Sequence, residues 1–505
     1  MKKATLICCL FILLKFVLQY VLVNDVYELH RDEFLHLNQA KHLAWGFHSV
    51  PPVTSWISWI ILQLGNGVFW VKFFPALFGA LTMLVVWKTT ETLKGSLFAC
   101  ILAATALLCS VLLRINILYQ PNSLDILCWT LVYFTLIRFI QTNNYKWLYL
   151  LAISFAIGFL NKYNIVFCLL GLLPAFLLTE HRKLFLKPQF YLSILLALVL
   201  ISPNLIWQFQ NDFPVFKHMK ELADTQLVHV NRMDFLKEQF FFFIGSIFIL
   251  IVSFISFFSY APFKPYRLFF WAYLFTTIIF IVLKAKAYYA IGLYPIFFAF
   301  GATYLSLLTE KSWKFYLRHL AFVVILFFFY ELLKTSLPIY TPETYLARAK
   351  LKKPFSEHTW EDGKKHPISQ DFADMLGWQE LAKKVDSIYV GIADKKHTMI
   401  LCDNYGQAGA INYYTKIEGL KADAFTDDYT KWADLDREIN LVIRIKTAEN
   451  IYSTRDLALF NSIEKKGEID APFAREKGTQ IILLSEPKLD LAKLLREERA
   501  KGNLQ

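Results

Sequence analysis

The chain has 505 residues, 56% hydrophobic, 17% aromatic and 19% charged, with a mean hydropathy of +0.39; soluble domains run nearer to about 25% charged, so a single soluble globule is excluded. The formal net charge of +12 is uneven: residues 338–505 carry 26 basic and 27 acidic groups, whereas residues 1–337 carry 27 and 14 and hold nearly all the apolar runs. The basic excess therefore belongs to a membrane half, and a nucleic-acid partner, which needs Lys and Arg clustered on a polar surface, is excluded.

A helix crossing roughly 30 Å of hydrocarbon needs about 20 mostly apolar residues, with every backbone polar group bonded internally. Runs at 4–23, 67–87, 97–113, 122–140, 147–160, 164–179, 189–207, 238–258, 267–283, 288–308 and 316–337 predict about eleven transmembrane helices. The first follows Lys2 and Lys3 but has no small-x-small cleavage site before Asn24, so it reads as a retained anchor rather than a signal peptide. Lys88 and Lys94, Arg138 and Lys146, Arg182, Lys183 and Lys187, Lys264 and Arg267, and Lys311, Lys314 and Arg318 fall in alternate loops. Positive loops stay cytoplasmic, which predicts an inner-membrane protein with a cytoplasmic N-terminus, a membrane domain over 1–337 and an extracytoplasmic domain over 338–505.

Segments 24–66 and 208–237 lie on the outer side and are too long for plain connectors. The first interleaves Phe34, Leu35, Leu37, Leu43, Trp45 and Phe47 with polar residues at roughly helical spacing, which predicts amphipathic helices in the interface, ended by Pro51-Pro52. The tail predicts a mixed α/β domain able to bury its own core. Residues 371–385 have helical periodicity, and 399–402, 441–445 and 480–484 are short apolar runs between turn residues. It has no GxGxxG or P-loop, and the spacing of the seven cysteines gives neither a disulfide framework nor a zinc motif.

Asp32 and Glu33 stand just outside the first helix, in YELHRDEFLHLNQ. A carboxylate near the bilayer is desolvated and its proton affinity rises, which suits a general base; the plainer reading is a pair of solvated loop charges. Asp125 lies a few residues inside the outer end of the fourth run, where a carboxylate faces a bundle interior or a cavity, or else favours a helix dipole. Lys162 with Tyr163, and Lys284 and Lys286 with Tyr288 and Tyr289, lie at outer ends of apolar runs. Each lysine taken singly could be snorkelling to headgroups. Taken together, cations that hold a phosphate and a carboxylate that deprotonates an acceptor suit an anionic lipid-linked substrate. Asn204, Trp207 and Gln210 close the seventh run, either as sugar-binding groups or as an interfacial anchor.

The ordered segments RDEFLHLNQAKHLAWGFHSVPP, QPNSLDILCW, LNKYNIVF, SPNLIWQFQNDFP and KAKAYYAIGLYP resemble the dolichyl-phosphate-mannose protein mannosyltransferase-like glycosyltransferases. This is the GT-C branch that also holds the aminoarabinose transferases of lipid A. The resemblance covers most of residues 1–310, and the tail segments LGWQELAKKV and NYGQAGAINYY are similar to the extracytoplasmic domain of bacterial members. It implies a polytopic helical transferase that moves a sugar from a polyprenyl-phosphate donor to a lipid, glycan or protein acceptor by inverting displacement. Asp32 would be the base, with Glu33 its neighbour and Asp125 the second acid; Lys162, Lys284, Lys286, Tyr288 and Tyr289 would lie on the phosphate side. Where members often carry an acidic and a basic residue before the proline, this chain has Ser49-Val50, with His48 the nearest titratable group. No metal or other cofactor is therefore assigned. A transporter or flippase of polyprenyl-linked glycans is the alternative, since it would also keep charged intramembrane residues, but the charges gather at one face and no inverted repeat is visible. A non-catalytic membrane module with a partner-binding tail is the third reading, and it predicts that Asp32→Asn is harmless.

Overall fold

The computed structural model describes residues 3–351, 358–447 and 454–501. The first two-thirds of the chain forms α1 (Lys3–Val21), α2 (Arg31–Gln39), α3 (Val53–Gln63), α4 (Val68–Thr92), α5 (Leu97–Leu108), α6 (Val111–Ile115), α7 (Asn122–Thr142) and α8 (Lys146–Asn161). These are followed by α9 (Val166–Leu177), α10 (Pro188–Gln210), α11 (Pro214–Thr225), α12 (Arg232–Phe241), α13 (Ile247–Ser259), α14 (Arg267–Val282), α15 (Pro295–Leu308) and α16 (Leu317–Thr335).

Every apolar run becomes helical, but not every one becomes a long helix. Among the described residues α1, α4, α7, α10 and the segments 261–282 and 312–335 are long and apolar enough to cross a membrane. The bent pairs 163–177 with 180–186 and 287–293 with 295–308 raise the number to eight. The structure thus supports six to eight spans where about eleven were expected. Run 97–113 breaks at Ser110, whose hydroxyl accepts from the Leu112 N–H and starts α6 afresh. Run 238–258 breaks between α12 and α13, and α8 has 16 residues, about 24 Å of helix.

The bundle is built around α7, the most buried of the long helices, while α1 and α16 show the most surface. Trp129 and Tyr133 on α7 are fully buried, as are Phe297, Phe298 and Phe300 on α15. Asp125 and Gln141 lie near opposite ends of α7, sixteen residues apart, about 24 Å. At the Gln141 end Gln141 donates to the Thr92 carbonyl at 3.3 Å, joining two of the basic loops. The acid- and lysine-bearing segments occupy the other end.

The tail contains α17 (Pro342–Leu351), a hairpin of β1 (His358–Thr359) and β2 (Lys365–His366), α18 (Gln370–Ala373), α19 (Trp378–Val390) and β3 (Thr398–Cys402). It continues with α20 (Tyr405–Tyr414), β4 (Ala422–Ala424), α21 (Tyr429–Trp432), β5 (Leu441–Lys446), α22 (Thr454–Leu459), β6 (Phe460–Glu468), β7 (Gln480–Pro487) and α23 (Leu491–Lys501). The sheet order is β4-β3-β5-β7-β6. β3 runs parallel to β4 and β5, and β7 antiparallel to β5 and β6. The helix expected over 371–385 is split at Gly377, whose φ of +85° only glycine adopts freely.

In the first outer segment helical periodicity ends earlier than expected. Arg31–Gln39 and, beyond Pro51-Pro52, Val53–Gln63 are helical, but the stretch between them that carries Leu43, Trp45 and Phe47 is a loop. Tertiary packing overrides the pattern: Gly46 lies so close beneath Trp207 that an added Cβ would fall 2.3 Å from its ring. Nor does the compositional border at 338 coincide with a packing border. Leu29, Phe34, Leu35, Leu37 and Tyr119 share one buried cluster with Trp378, Leu381, Ile400 and Ile443. The tail also has a cluster of its own around Met399, Val442 and Leu484, so it buries its core partly by itself and partly around α2.

Candidate active site

The two adjacent acids both lie in the first turn of α2 but meet different surroundings. His30 caps the helix, its Nδ1 accepting from the Asp32 N–H at 3.2 Å, while Glu33 Oε2 accepts from the His30 N–H at 2.7 Å. This reciprocal capping box satisfies two otherwise orphaned donors. Glu33 is fully buried. Its remaining acceptor sites are filled by Lys72 Nζ at 2.7 and 2.8 Å and by the Tyr119 N–H at 2.5 Å. Successive helical residues point about 100° apart, so Asp32 turns away from this pair.

Asp32 keeps 38% of its side chain accessible. Its Oδ2 accepts from Gln120 Nε2 at 3.0 Å and its Oδ1 from the Tyr405 hydroxyl at 2.8 Å. The Arg31 guanidinium lies 4.4 Å from the centre of the same Tyr405 ring. Surrounding protein by itself would raise the Asp32 pKa, but His30, Arg31, the Tyr405 hydrogen bond and His36 outweigh it and hold it down to about 2. The rise in proton affinity expected from desolvation is thus reversed: at neutral pH this carboxylate is ionised.

Asp125 is buried, with Oδ1 accepting from Trp129 Nε1 at 3.1 Å and Oδ2 from Asn164 Nδ2 at 2.9 Å. Asn164 also donates to the Tyr289 carbonyl at 3.0 Å, which joins Asp125 to the Tyr288-Tyr289 segment. Lys162 donates to Asn122 Oδ1 at 2.6 Å and sits 5.2 and 4.4 Å from the ring centres of Tyr288 and Tyr289. Lys286 donates to Gln226 Oε1 at 2.6 Å and to Glu361 Oε1 at 2.5 Å. Burial lowers the Lys286 pKa, but the Glu361 carboxylate more than offsets this and raises it overall, and Asp32 contributes to the same field. Asp125, Lys162, Lys286, Tyr288 and Tyr289 are therefore brought together, within electrostatic reach of Asp32. Lys284 is different: it ends α14 in a left-handed conformation, φ +52°, and among the described residues no hydrogen bond or ion pair joins its side chain to the group.

Asn204 is fully buried; it donates to the Trp45 carbonyl at 2.7 Å and accepts from the Tyr163 hydroxyl at 3.0 Å. With Trp207 over Gly46, it ties α10 to the first outer loop. Gln210 is exposed, whereas Gln208 is buried and donates to the Tyr163 hydroxyl at 2.8 Å. Residues four apart share a helix face and residues six apart do not, so helical spacing from Asn204 already favoured 208 over 210. His48 donates its backbone N–H to Asp428 Oδ1 at 2.8 Å. Its ring, the ring of His218 and the carboxylate of Asp427 bring three metal-capable ligand atoms within 4.8 Å of one another. Tyr405, Glu361 and Asp427 come from the tail and carry no sequence mark that ties them to the outer loop. Gln120, next to Tyr119 and one residue before Pro121, was within the QPNSLD motif but unassigned.

Residues 49–207 match the dolichyl-phosphate-mannose-protein mannosyltransferase family. The lipid A galacturonosyltransferase RgtD of Rhizobium johnstonii is 22% identical over 238 residues, 46% of this chain; the chain spans about half (50%) of the length of that relative. The crystal structure of ArnT from Cupriavidus metallidurans bound to undecaprenyl phosphate shares the fold at a TM-score of 0.64 and 12% identity, covering 96% of this chain and 98% of that one. AglB, an archaeal oligosaccharyltransferase from Archaeoglobus fulgidus in complex with an inhibitory peptide and a dolichol-phosphate, follows at 0.51 and 11%, covering 87% and 69%. Residues 49–207 thus match a glycosyltransferase family model, and the chain as a whole shares the fold of ArnT.

Proposed function

We infer that this protein transfers a sugar from a polyprenyl-phosphate donor to a hydroxyl of a lipid, glycan or protein acceptor at the outer face of the inner membrane. The N-terminus is then cytoplasmic and the tail extracytoplasmic. One observation carries the reading: of the adjacent acids only Asp32 is accessible, and it is ionised, pinned by two hydrogen bonds and close enough to Lys286 for their fields to act on each other. Support also comes from two relatives, one that bears the name of a lipid A galacturonosyltransferase and one crystallised with undecaprenyl phosphate.

In the proposed step the acceptor oxygen attacks the anomeric carbon. The bond from that carbon to the phosphate oxygen breaks, its electron pair leaves with the lipid phosphate, and the acceptor proton passes to Asp32. Attack opposite the leaving group inverts the anomeric centre. A carboxylate with a pKa of about 2 is a weak base toward an unreacted hydroxyl. Proton transfer therefore runs late, once the new C–O bond has made the acceptor proton acidic. Lys162 and Lys286, flanked by Tyr288 and Tyr289, are placed to neutralise the departing phosphate. Asp125 orients Asn164 and the Tyr289 backbone behind them. Glu33 has no acceptor site left for substrate and acts by holding α2.

The test is complementation of a deletion strain, with glycolipids and glycoproteins compared by mass spectrometry. The wild-type gene restores a glycosylated species, and Asp32→Asn, present at normal level and folded, lowers it by about 10²- to 10⁴-fold, the usual contribution of a positioned base. Restoration within about tenfold of wild type would refute the role of Asp32.

A further inference from the structure

Lys286 already holds an anion, and that anion belongs to the tail. Glu361 stands in the turn of the β1–β2 hairpin, and its Oε1 accepts from Lys286 Nζ at 2.5 Å. The turn presents it firmly. The Trp360 ring stacks on that of His366 at 3.5 Å between centres, and Trp360 Nε1 donates to the Ile368 carbonyl at 2.9 Å. Gly363 closes the turn at φ +75°, a conformation that suits glycine. It lies so close to the segment after α11 that an added Cβ would fall 2.9 Å from the His229 ring.

The pair is built to open. Glu361 has a second holder: its Oε2 accepts from Gln370 Nε2 at 2.9 Å, and its N–H donates to Gln370 Oε1 at 2.8 Å. Lys286 has one as well, since it also donates to Gln226 Oε1 at 2.6 Å. Separating the two charges therefore leaves neither without a hydrogen bond. The side chains of Lys286 and Glu361 are 16% and 35% accessible, so the carboxylate can turn toward water as it leaves. Burial by itself raises the Glu361 pKa, but Lys286 and Gln370 bring it below the ordinary value, so at neutral pH an anion faces the lysine. Lys162 donates instead to the neutral Asn122, so of the two lysines it is Lys286 that carries a tethered anion.

We propose that Glu361 is a built-in surrogate for the substrate phosphate: it occupies Lys286 in the empty site, yields to the donor, and returns to displace the spent polyprenyl phosphate. The inference rests on the phosphate role of Lys286 given above. Transfer itself creates the need for such a group. A polyprenyl-phosphate sugar is a phosphodiester with a single negative charge, whereas the product is a phosphomonoester that carries about −1.5 to −2 at pH 7. The same lysines therefore attract the product more strongly than the donor, and product release sets the rate of many enzymes. A carboxylate tethered beside the site competes at an effective concentration on the order of millimolar. It weakens the hold on donor and product alike, and by taking Lys286 as the phosphate lifts it prevents recapture.

The experiment immobilises the full chain in lipid nanodiscs and follows the binding of farnesyl phosphate, a soluble polyprenyl phosphomonoester, by surface plasmon resonance. Glu361→Gln should tighten binding by about 10-fold or more, as removal of one competing charge-assisted hydrogen bond does, with most of the change in a slower dissociation rate. Lys286→Ala should weaken binding, and Glu361→Gln added to it should give no tightening, because the two act through one contact. Glu464→Gln, on the edge strand β6, should change neither affinity nor rate. Glu361→Asp keeps the charge but ends one methylene short of Lys286; it should tighten binding by a smaller factor, and it decides should Glu361→Gln fail to fold. Unaltered affinity and dissociation in folded Glu361→Gln, or the same tightening in the Lys286→Ala background, would overturn the surrogate role alone. Unchanged binding in Lys286→Ala would overturn it together with the phosphate role of that lysine.

Discussion

Replacement of Glu33 by glutamine tests the proposed division of the two adjacent acids into a structural Glu33 and a catalytic Asp32. The carboxamide keeps the volume but removes the charge facing Lys72, whose side chain is only 11% accessible. It also turns one oxygen into a donor, although both oxygens now receive backbone N–H groups, from Tyr119 and from His30. Breaking a buried ion pair from one side costs about 3–5 kcal/mol, because the other charge stays buried without a partner. An N–H left facing a donor costs about 1–3 kcal/mol. The two losses overlap at one site and are not summed, so Glu33→Gln should destabilise by about 3–5 kcal/mol. Lys72→Met in the same background removes the stranded cation, and the double variant should recover at least about 1 kcal/mol relative to Glu33→Gln, as expected for groups in contact. Unfolding of the single and double variants in nanodiscs measures this cycle, and transfer per folded molecule, read in the same preparations, should stay within about tenfold of wild type, well short of the loss from removing a base. Wild-type unfolding together with transfer lowered by more than about 10²-fold would place the base at Glu33 and refute the division of roles.

Removing the Tyr405 hydroxyl by Tyr405→Phe takes one charge-assisted hydrogen bond from Asp32, a loss of about 1.5–3 kcal/mol where the bond is made in the transition state; kcat should fall by about 10- to 100-fold with donor KM unchanged, and an unaltered kcat would show that the tail does not tune the acid. Because the Asp32 pKa is held near 2 against an ordinary 3.8, the folded value lies below the unfolded one. Its contribution to stability is full above about pH 4 and is lost as pH falls toward 2. The pH–rate profile should then show no inflection from Asp32 between pH 5 and 8, and such an inflection, abolished in Asp32→Asn, would contradict that. Lys286→Ala should raise donor KM by about 10-fold or more, as loss of a charged phosphate contact does, whereas Glu361→Gln, which frees Lys286 from its competing anion, should lower it; the reverse order would remove Lys286 from the phosphate side. Gln208→Ala should loosen α10 from Tyr163 and lower the unfolding temperature by an amount matching about 1–2 kcal/mol, while Gln210→Ala should leave it unchanged; equal effects would refute the face assignment.

What the sequence determined by itself is what depends on the local solvent and on short-range pattern. The bilayer demands long apolar helices, so all eleven runs were legible as helices, and alternating basic loops marked the two ends of the bundle. In the tail the strands at 399–402, 441–445 and 480–484 were legible because a buried strand must be short and apolar between turns. Breaks were less legible: Ser110, which restarts α6, and Trp207, which displaces a helix at Gly46, act through capping and packing that hydropathy does not record. The choice between Asp32 and Glu33 lay wholly outside local pattern. Lys72 and Tyr119, 39 and 86 residues away, seal Glu33, and Tyr405, 373 residues away, orients Asp32. The sign of the Asp32 pKa shift was likewise decided by tertiary structure: desolvation, the one influence predictable from a position near the membrane, raises it, but cations and a hydroxyl supplied by the fold lower it further. Hydropathy is a property of each segment with its solvent, whereas the state of a titratable group is a sum over neighbours that only the folded chain assembles.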